Sequence, residues 1–190
     1  QAADIPVSYV GHPLADLLPE SPDRDAMRTS MQLPLEGMIF AFLPGSRQSE
    51  VNQLARTYIE TAKLILQQIP DASFLVPLAS PETRAIFEQA KNDCDAKQLS
   101  ITLLSGQAQD AMIAANGALV ASGTATLECA LLKRPMVITY KMPALSWWLI
   151  QRKRYQPYVG LPNILCERFV VPELIQEDAT PGNLSQALLN

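Results

Sequence analysis

Residues 119–140 read LVASGTATLECALLKRPMVITY. A strand-like run, ALVAS, passes into a cluster of small hydroxylated residues. An apolar helix follows, interrupted by the single carboxylate of Glu128, and then a second strand-like run, PMVITY. Strand, glycine loop, helix, strand is the unit of a parallel sheet, because parallel neighbours need a crossover connection. The same rhythm extends upstream. MIFAFLPG, from Met38, reads as a short buried strand ended by a proline-glycine break. SEVNQLARTYIETAKLILQQI reads as a helix, with apolar Val51, Leu54, Tyr58, Ala62, Ile65 and Ile69 at helical spacing and Pro70 closing it. SFLVPL is a second strand, PETRAIFEQAKNDC a helix with proline in its first turn, LSITLLSG a third strand and QDAMIAA a short helix. Downstream, PALSWWLIQRKRY reads as helical. The remainder is less regular, with a helix expected from Asn183 to Leu189.

The strands are continuous apolar runs, as expected of strands buried on both faces. The fold class is therefore α/β: a Rossmann-like parallel sheet with helices on both faces. Ligands of such folds sit beyond the carboxyl ends of the strands, which directs attention to the loops LPGSR, PLASPE, LLSGQ and ASGTAT. Residues 1–30 do not share the rhythm and are expected to be a linker from another domain; residues 31–190 are expected to form a Rossmann-like nucleotide-sugar-binding domain. QALLN stops within a helical pattern, and both ends read as cut from a longer protein.

The composition narrows the function classes. The chain has 190 residues, 48% hydrophobic, enough for one sizeable core. A net charge of −4 gives no support to nucleic-acid binding. Cys94, Cys129 and Cys166 are scattered without a CxxC pair, and His12 is the one histidine, so a structural zinc site is not expected and a reducing cytoplasm is. QAADIPVSYV lacks the pattern of a signal peptide. No apolar run approaches the roughly 20 residues of a membrane span.

In ASGTAT, Gly123 allows close backbone approach, Ser122, Thr124 and Thr126 supply hydroxyls, and the next helix offers free N–H groups at its positive end. This suits phosphate; ordinary helix capping by Ser or Thr is the alternative. Glu128 is not a capping-box glutamate, because Ala125 stands three residues before it. Four residues after Thr124, it lies on the same side of the helix, where it can accept two hydrogen bonds from a ribose diol or pair with a nearby Lys or Arg. In LPGSRQSEV, Arg47 stands at a helix N-terminus, where the dipole disfavours a cation unless an anion is bound. Arg47 there either grips phosphate or is held locally by Glu50. Neither GxGxxG nor a P-loop is present, and no acidic pair is placed to hold a divalent metal. A nucleoside diphosphate held without metal is the natural inference. Trp147 and Trp148 run into Arg152, Lys153 and Arg154, a pattern suited to an anionic membrane interface or to a buried helix with a basic C-terminal end. Asn163 is placed to cap a short helix or to donate to a ligand. His12, with Pro13 after it, joins no nucleophilic triad.

YVGHPLAD, LPGSRQSEV, ASGTATLECALLKRPMVITYKM and VGLPNILCER, in this order, closely resemble the lipid-A-disaccharide synthase family, bacterial glycosyltransferases of the GT-B fold. The resemblance implies UDP-2,3-diacylglucosamine as donor and 2,3-diacylglucosamine 1-phosphate as acceptor. The product is a β-1,6-linked disaccharide formed with inversion, with UDP released and neither metal nor other cofactor required. It further implies a cytoplasmic enzyme peripheral to the inner membrane. The site residues implied are Gly45, Ser46 and Arg47, then Ser122, Gly123, Thr124, Ala125, Thr126 and Glu128, and Asn163, with Arg47 stabilising the leaving group. The general base of such enzymes lies in an N-terminal domain that has no counterpart here, so nucleotide binding is expected of this chain and transfer by it alone is not. Other UDP-sugar GT-B enzymes, including N-acetylglucosaminyltransferase and UDP-N-acetylglucosamine 2-epimerase, share parts of the pattern. A non-catalytic Rossmann-like domain binding a membrane or partner is the remaining alternative.

Overall fold

The computed structural model describes residues 13–143, 146–148 and 156–190. His12 and the basic cluster of Arg152, Lys153 and Arg154 lie outside them, as does most of the helix expected from Pro143 to Tyr155.

Two short helices, α1 (Pro13–Leu17) and α2 (Arg24–Ser30), lead into β1 (Ile39–Leu43). Then come α3 (Gln48–Gln68), β2 (Ser73–Leu78), α4 (Pro81–Asp93), β3 (Ile101–Ser105), α5 (Ala108–Ala114), β4 (Gly117–Ala121), α6 (Thr124–Leu131) and β5 (Met136–Tyr140). The last part holds α7 (Leu161–Cys166), β6 (Glu173–Ile175), a 3-10 turn (Gln176–Asp178) and α8 (Pro181–Leu189). The six strands pair in the order β3-β2-β1-β4-β5-β6, all parallel. The order reverses between β1 and β4, so their carboxyl ends flank the crevice where doubly wound sheets take ligands.

Alternate residues along each strand serve two cores. Phe40, Phe42, Phe74, Val76, Leu119 and Val137 face α3, α4 and α8. Ile39, Ala41, Leu75, Val120 and Ile138 face α5, α6 and the N-terminal helices. The apolar stripe of α3 is fully buried at Val51, Leu54, Tyr58, Ala62 and Ile65, the valine, leucine and isoleucine side chains each contributing about 1.5–3 kcal/mol. β1 and β4 are buried throughout. The edge strand β3 departs from the expectation of strands buried on both faces: Ile101, Leu103 and Leu104 are half-buried and Thr102 and Ser105 exposed, and β3 has a neighbouring strand on one side only. The segment expected to be a linker contains α2, which packs against α5 through a fully buried Arg28.

Among the described residues no helix is long and apolar enough to cross a membrane.

Candidate functional site

The chain turns sharply at Gly45, whose φ of +116° favours glycine, and α3 begins with Arg47 as its N-cap. Tyr58, fully buried, anchors α3 to the end of β1: its hydroxyl donates to the Leu43 carbonyl at 3.1 Å, and its ring meets Phe42 edge-on at 5.4 Å. The loop between β1 and α3 is therefore held from below. It is also held from above. The Glu50 carboxylate accepts hydrogen bonds from the Ser46 N–H at 3.1 Å and the Arg47 N–H at 3.2 Å, and its other oxygen meets the Arg47 guanidinium at 3.2 Å. A guanidinium has no acceptor, so the cap runs one way only, from backbone N–H to Glu50.

The second loop, after β4, enters α6 at Gly123, whose φ of +151° again favours glycine. Among the described residues no side chain caps α6, so the N–H groups of its first turn have no side-chain acceptor there. Thr124 is exposed, and Ser122 donates through Oγ to the Val159 carbonyl at 3.3 Å.

The two loops meet at the switch point around a cavity of about 400 Å³. Seven of the residues singled out from sequence line it: Gly45, Ser46 and Arg47 on one side, Ser122, Gly123, Thr124 and Ala125 on the other. Ala79 and Gly106 close it from the ends of β2 and β3.

Three expected site residues lie elsewhere. Thr126 is fully buried, and its hydroxyl donates back to the Gly123 carbonyl at 2.8 Å. It is used up in the first turn of α6 and has no proton to offer a ligand. Asn163 is fully buried inside α7, whose N-cap is Gly160, so Asn163 does not cap that helix. Its amide nitrogen donates to the Val171 carbonyl (2.9 Å) and to Glu173 (2.8 Å), and its oxygen accepts from the Val170 and Val171 N–H groups. The amide is saturated, so in place of the expected ligand contact it makes a clamp. Glu173 completes that clamp by accepting from the Val159 and Gly160 N–H groups. Through the Ser122–Val159 bond the clamp braces the ASGTAT loop. Asn163→Asp would set a second carboxylate against Glu173. It is expected to destabilise the fold more than Asn163→Ala, itself costing about 2–3 kcal/mol through orphaned buried groups; urea midpoints of the two variants check the order.

Glu128, one turn beyond Thr124, is half-buried and does not line the cavity. Among the described residues no cation pairs with it. Burial alone raises its carboxyl above the usual glutamate value. A raised carboxyl favours the folded state when protonated. That contribution is lost as pH climbs from the usual glutamate range through the raised value, and at neutral pH the ionised form is a net cost. Glu128→Gln is expected to raise the thermal midpoint of the ligand-free protein at pH 7, the gain vanishing as pH falls through that window; scanning calorimetry at pH 4 and pH 7 measures it.

The sequence reading did not identify Glu50 as part of the site. Its position three residues after Arg47 in LPGSRQSE suggested a local pair with Arg47, but not that its carboxylate would reach two backbone N–H groups. Glu173 was also missed, because its three donors are distributed over residues 159–163.

A parallel sheet of this order, with two anion-ready loops opposed across its switch point, is the Rossmann-like half of a GT-B fold. ADP-heptose lps heptosyltransferase II of E. coli superposes with a TM-score of 0.61 at 14% identity, over 95% of this chain and 51% of that one. The family is more specific: the lipid-A-disaccharide synthetase model matches residues 1–190, and the chain belongs to that family. It is 58% identical over 187 residues to the lipid-A-disaccharide synthase of Methylobacillus flagellatus, covering 98% of this chain and 50% of the relative. It is 60% identical over 188 residues to that of Aromatoleum aromaticum, covering 99% of this chain and 48% of the relative. The chain thus spans about half the length of these curated relatives.

Proposed function

We propose that this chain is the donor-binding half of an inverting glycosyltransferase that transfers 2,3-diacylglucosamine from its UDP derivative to 2,3-diacylglucosamine 1-phosphate. The carrying observation is the cavity at the switch point, where an arginine and the N-termini of α3 and α6 converge in a chain of this family. Ser46, Arg47, Gly123, Thr124 and Ala125 hold the diphosphate, through backbone N–H groups, one guanidinium and one hydroxyl. Glu128, one turn behind the cavity wall and without an ion-pair partner among the described residues, turns toward the cavity to accept the ribose diol of the bound donor. Charge stabilisation in this cavity comes from the N–H groups of the two loops and from Arg47. As the acceptor hydroxyl attacks the anomeric carbon, the bond to the diphosphate breaks and its electron pair leaves with UDP. Arg47 and the α6 N-terminus stabilise that growing charge. The base that takes the acceptor proton belongs to the half of the relatives that this chain does not span. Both substrates carry acyl chains, so the reaction takes place at the cytoplasmic face of the inner membrane, with the enzyme peripheral to it.

Calorimetric titration with UDP beside ADP tests the donor site. Selective UDP binding is expected, weakened about tenfold by Glu128→Ala. A folded protein that binds ADP as well as UDP, or neither, would overturn the assignment.

A further inference from the structure

The two ends of the proposed cradle are prepared differently. The α6 end is open: among the described residues no side chain caps its first turn. The α3 end is already occupied: three donors, the Ser46 N–H, the Arg47 N–H and the Arg47 guanidinium, converge on the Glu50 carboxylate. That side chain is only 11% exposed, while the Arg47 side chain is 77% exposed. The loop is moulded around the carboxylate. A Cβ on Gly45 would stand 2.6 Å from the Glu50 Cβ, so the approach exists only because residue 45 has no side chain.

From this geometry, and resting on the donor-site reading above, we infer that Glu50 is a built-in anion which holds the diphosphate cradle while it is empty and is displaced by the diphosphate when the donor binds. Two anions cannot share the same two N–H groups, and a diphosphate beside an ionised carboxylate is repelled by it. Glu50 lies in the first turn of α3, on the cavity wall, so rotation about its own side-chain bonds carries the carboxylate away without unwinding the helix. Arg47 stays behind and exchanges a carboxylate for a phosphate. The cradle is therefore ordered before the ligand arrives, which lowers the ordering cost of binding. The same carboxylate, returning, helps to expel the product diphosphate. Glu50 is thus a positioning residue that sets the balance between donor capture and UDP release.

A plain helix cap predicts the opposite sign of effect on removal of the charge, and that separates the two roles. Glu50→Gln keeps an oxygen able to accept from the Ser46 and Arg47 N–H groups but removes the charge. Inorganic pyrophosphate and UDP are titrated calorimetrically into wild type, Glu50→Gln and Arg47→Ala at fixed ionic strength and pH, with thermal unfolding confirming that each is folded. Glu50→Gln is expected to bind both ligands at least about tenfold more tightly than wild type, because a neutral acceptor competes less well than a charged one. In wild type, the side-chain carboxyl carbon signal of Glu50 is expected to shift as pyrophosphate saturates. If wild type binds and Glu50→Gln binds equally or more weakly, Glu50 is only a cap and the displacement is overturned while the donor site stands. A carboxyl signal unmoved at saturation overturns it too. If neither protein binds pyrophosphate or UDP, the donor-site reading falls and this inference falls with it.

Discussion

Arg47→Ala in the full-length enzyme is expected to lower kcat for sugar transfer by about 10²–10³-fold while weakening UDP binding by only about tenfold. The asymmetry follows from where the guanidinium stands. It is largely exposed, and among the described residues Glu50 is its one ion-pair partner, so its ground-state attraction to a solvated diphosphate is screened. In the proposed reaction, charge would build on the leaving diphosphate as the glycosidic bond breaks, and a guanidinium on the cavity wall would gain strength with it. The exposed pair with Glu50 is worth about 0–1 kcal/mol, so the loss of rate will not be a loss of fold. Steady-state kinetics with the UDP-sugar donor, beside a UDP titration, give both quantities. Arg47→Lys, which keeps the charge and loses the fork, is expected to fall between wild type and Arg47→Ala. A rise in KM with kcat unchanged would mean that Arg47 binds substrate and transition state alike.

Much of this site was legible in the sequence because its determinants are local. Gly45 and Gly123 announce backbone conformations that other residues disfavour, and each follows an apolar run ending at the same sheet edge. The strand β2 was read with its observed bounds, since Pro70 and Pro81 fence an apolar run too short for a helix. What remained hidden depends on neighbours distant in the chain. β6 has three half-buried residues after Pro172 and carries no pattern of its own; it is a strand because β5 offers an unpaired edge. Asn163 and Thr126 have the side chains of ligand donors, yet both spend their hydrogen bonds inside the protein. Local sequence shows that a group can donate; only the fold shows whether its bonds are already taken. Glu50 is the converse case, a residue typical of a helix first turn whose importance lies in the loop it reaches back to.

Arg28→Met is expected to cost about 3–5 kcal/mol of folding stability while leaving UDP affinity in the folded protein within about twofold of wild type. Arg28 is fully buried, and no carboxylate pairs with it among the described residues. Its charge is carried by oxygens: the Ala114 carbonyl at 2.8 Å, the Leu35 carbonyl at 2.7 Å and the Asn116 side-chain oxygen at 2.6 Å. Ala114 ends α5, so the negative end of that helix serves as counter-charge. Burial draws the guanidinium below its ordinary value, as these neutral partners return only part of its lost hydration. Methionine fills similar volume but leaves those acceptors without donors. The Asn116 oxygen also accepts from the Ile39 N–H at the start of β1, so its position against the sheet loosens as well. All of these contacts lie at the amino ends of β1 and β4, the edge opposite the cavity. That separation is what the variant tests. Urea unfolding should register a large loss, and calorimetry below the transition almost none. If Arg28→Met lost UDP binding while still folded, the two edges of the sheet would be coupled through β1 and β4. A stability loss under about 1 kcal/mol would mean that water reaches the abandoned carbonyls and that α2 is held to α5 by its apolar contacts alone.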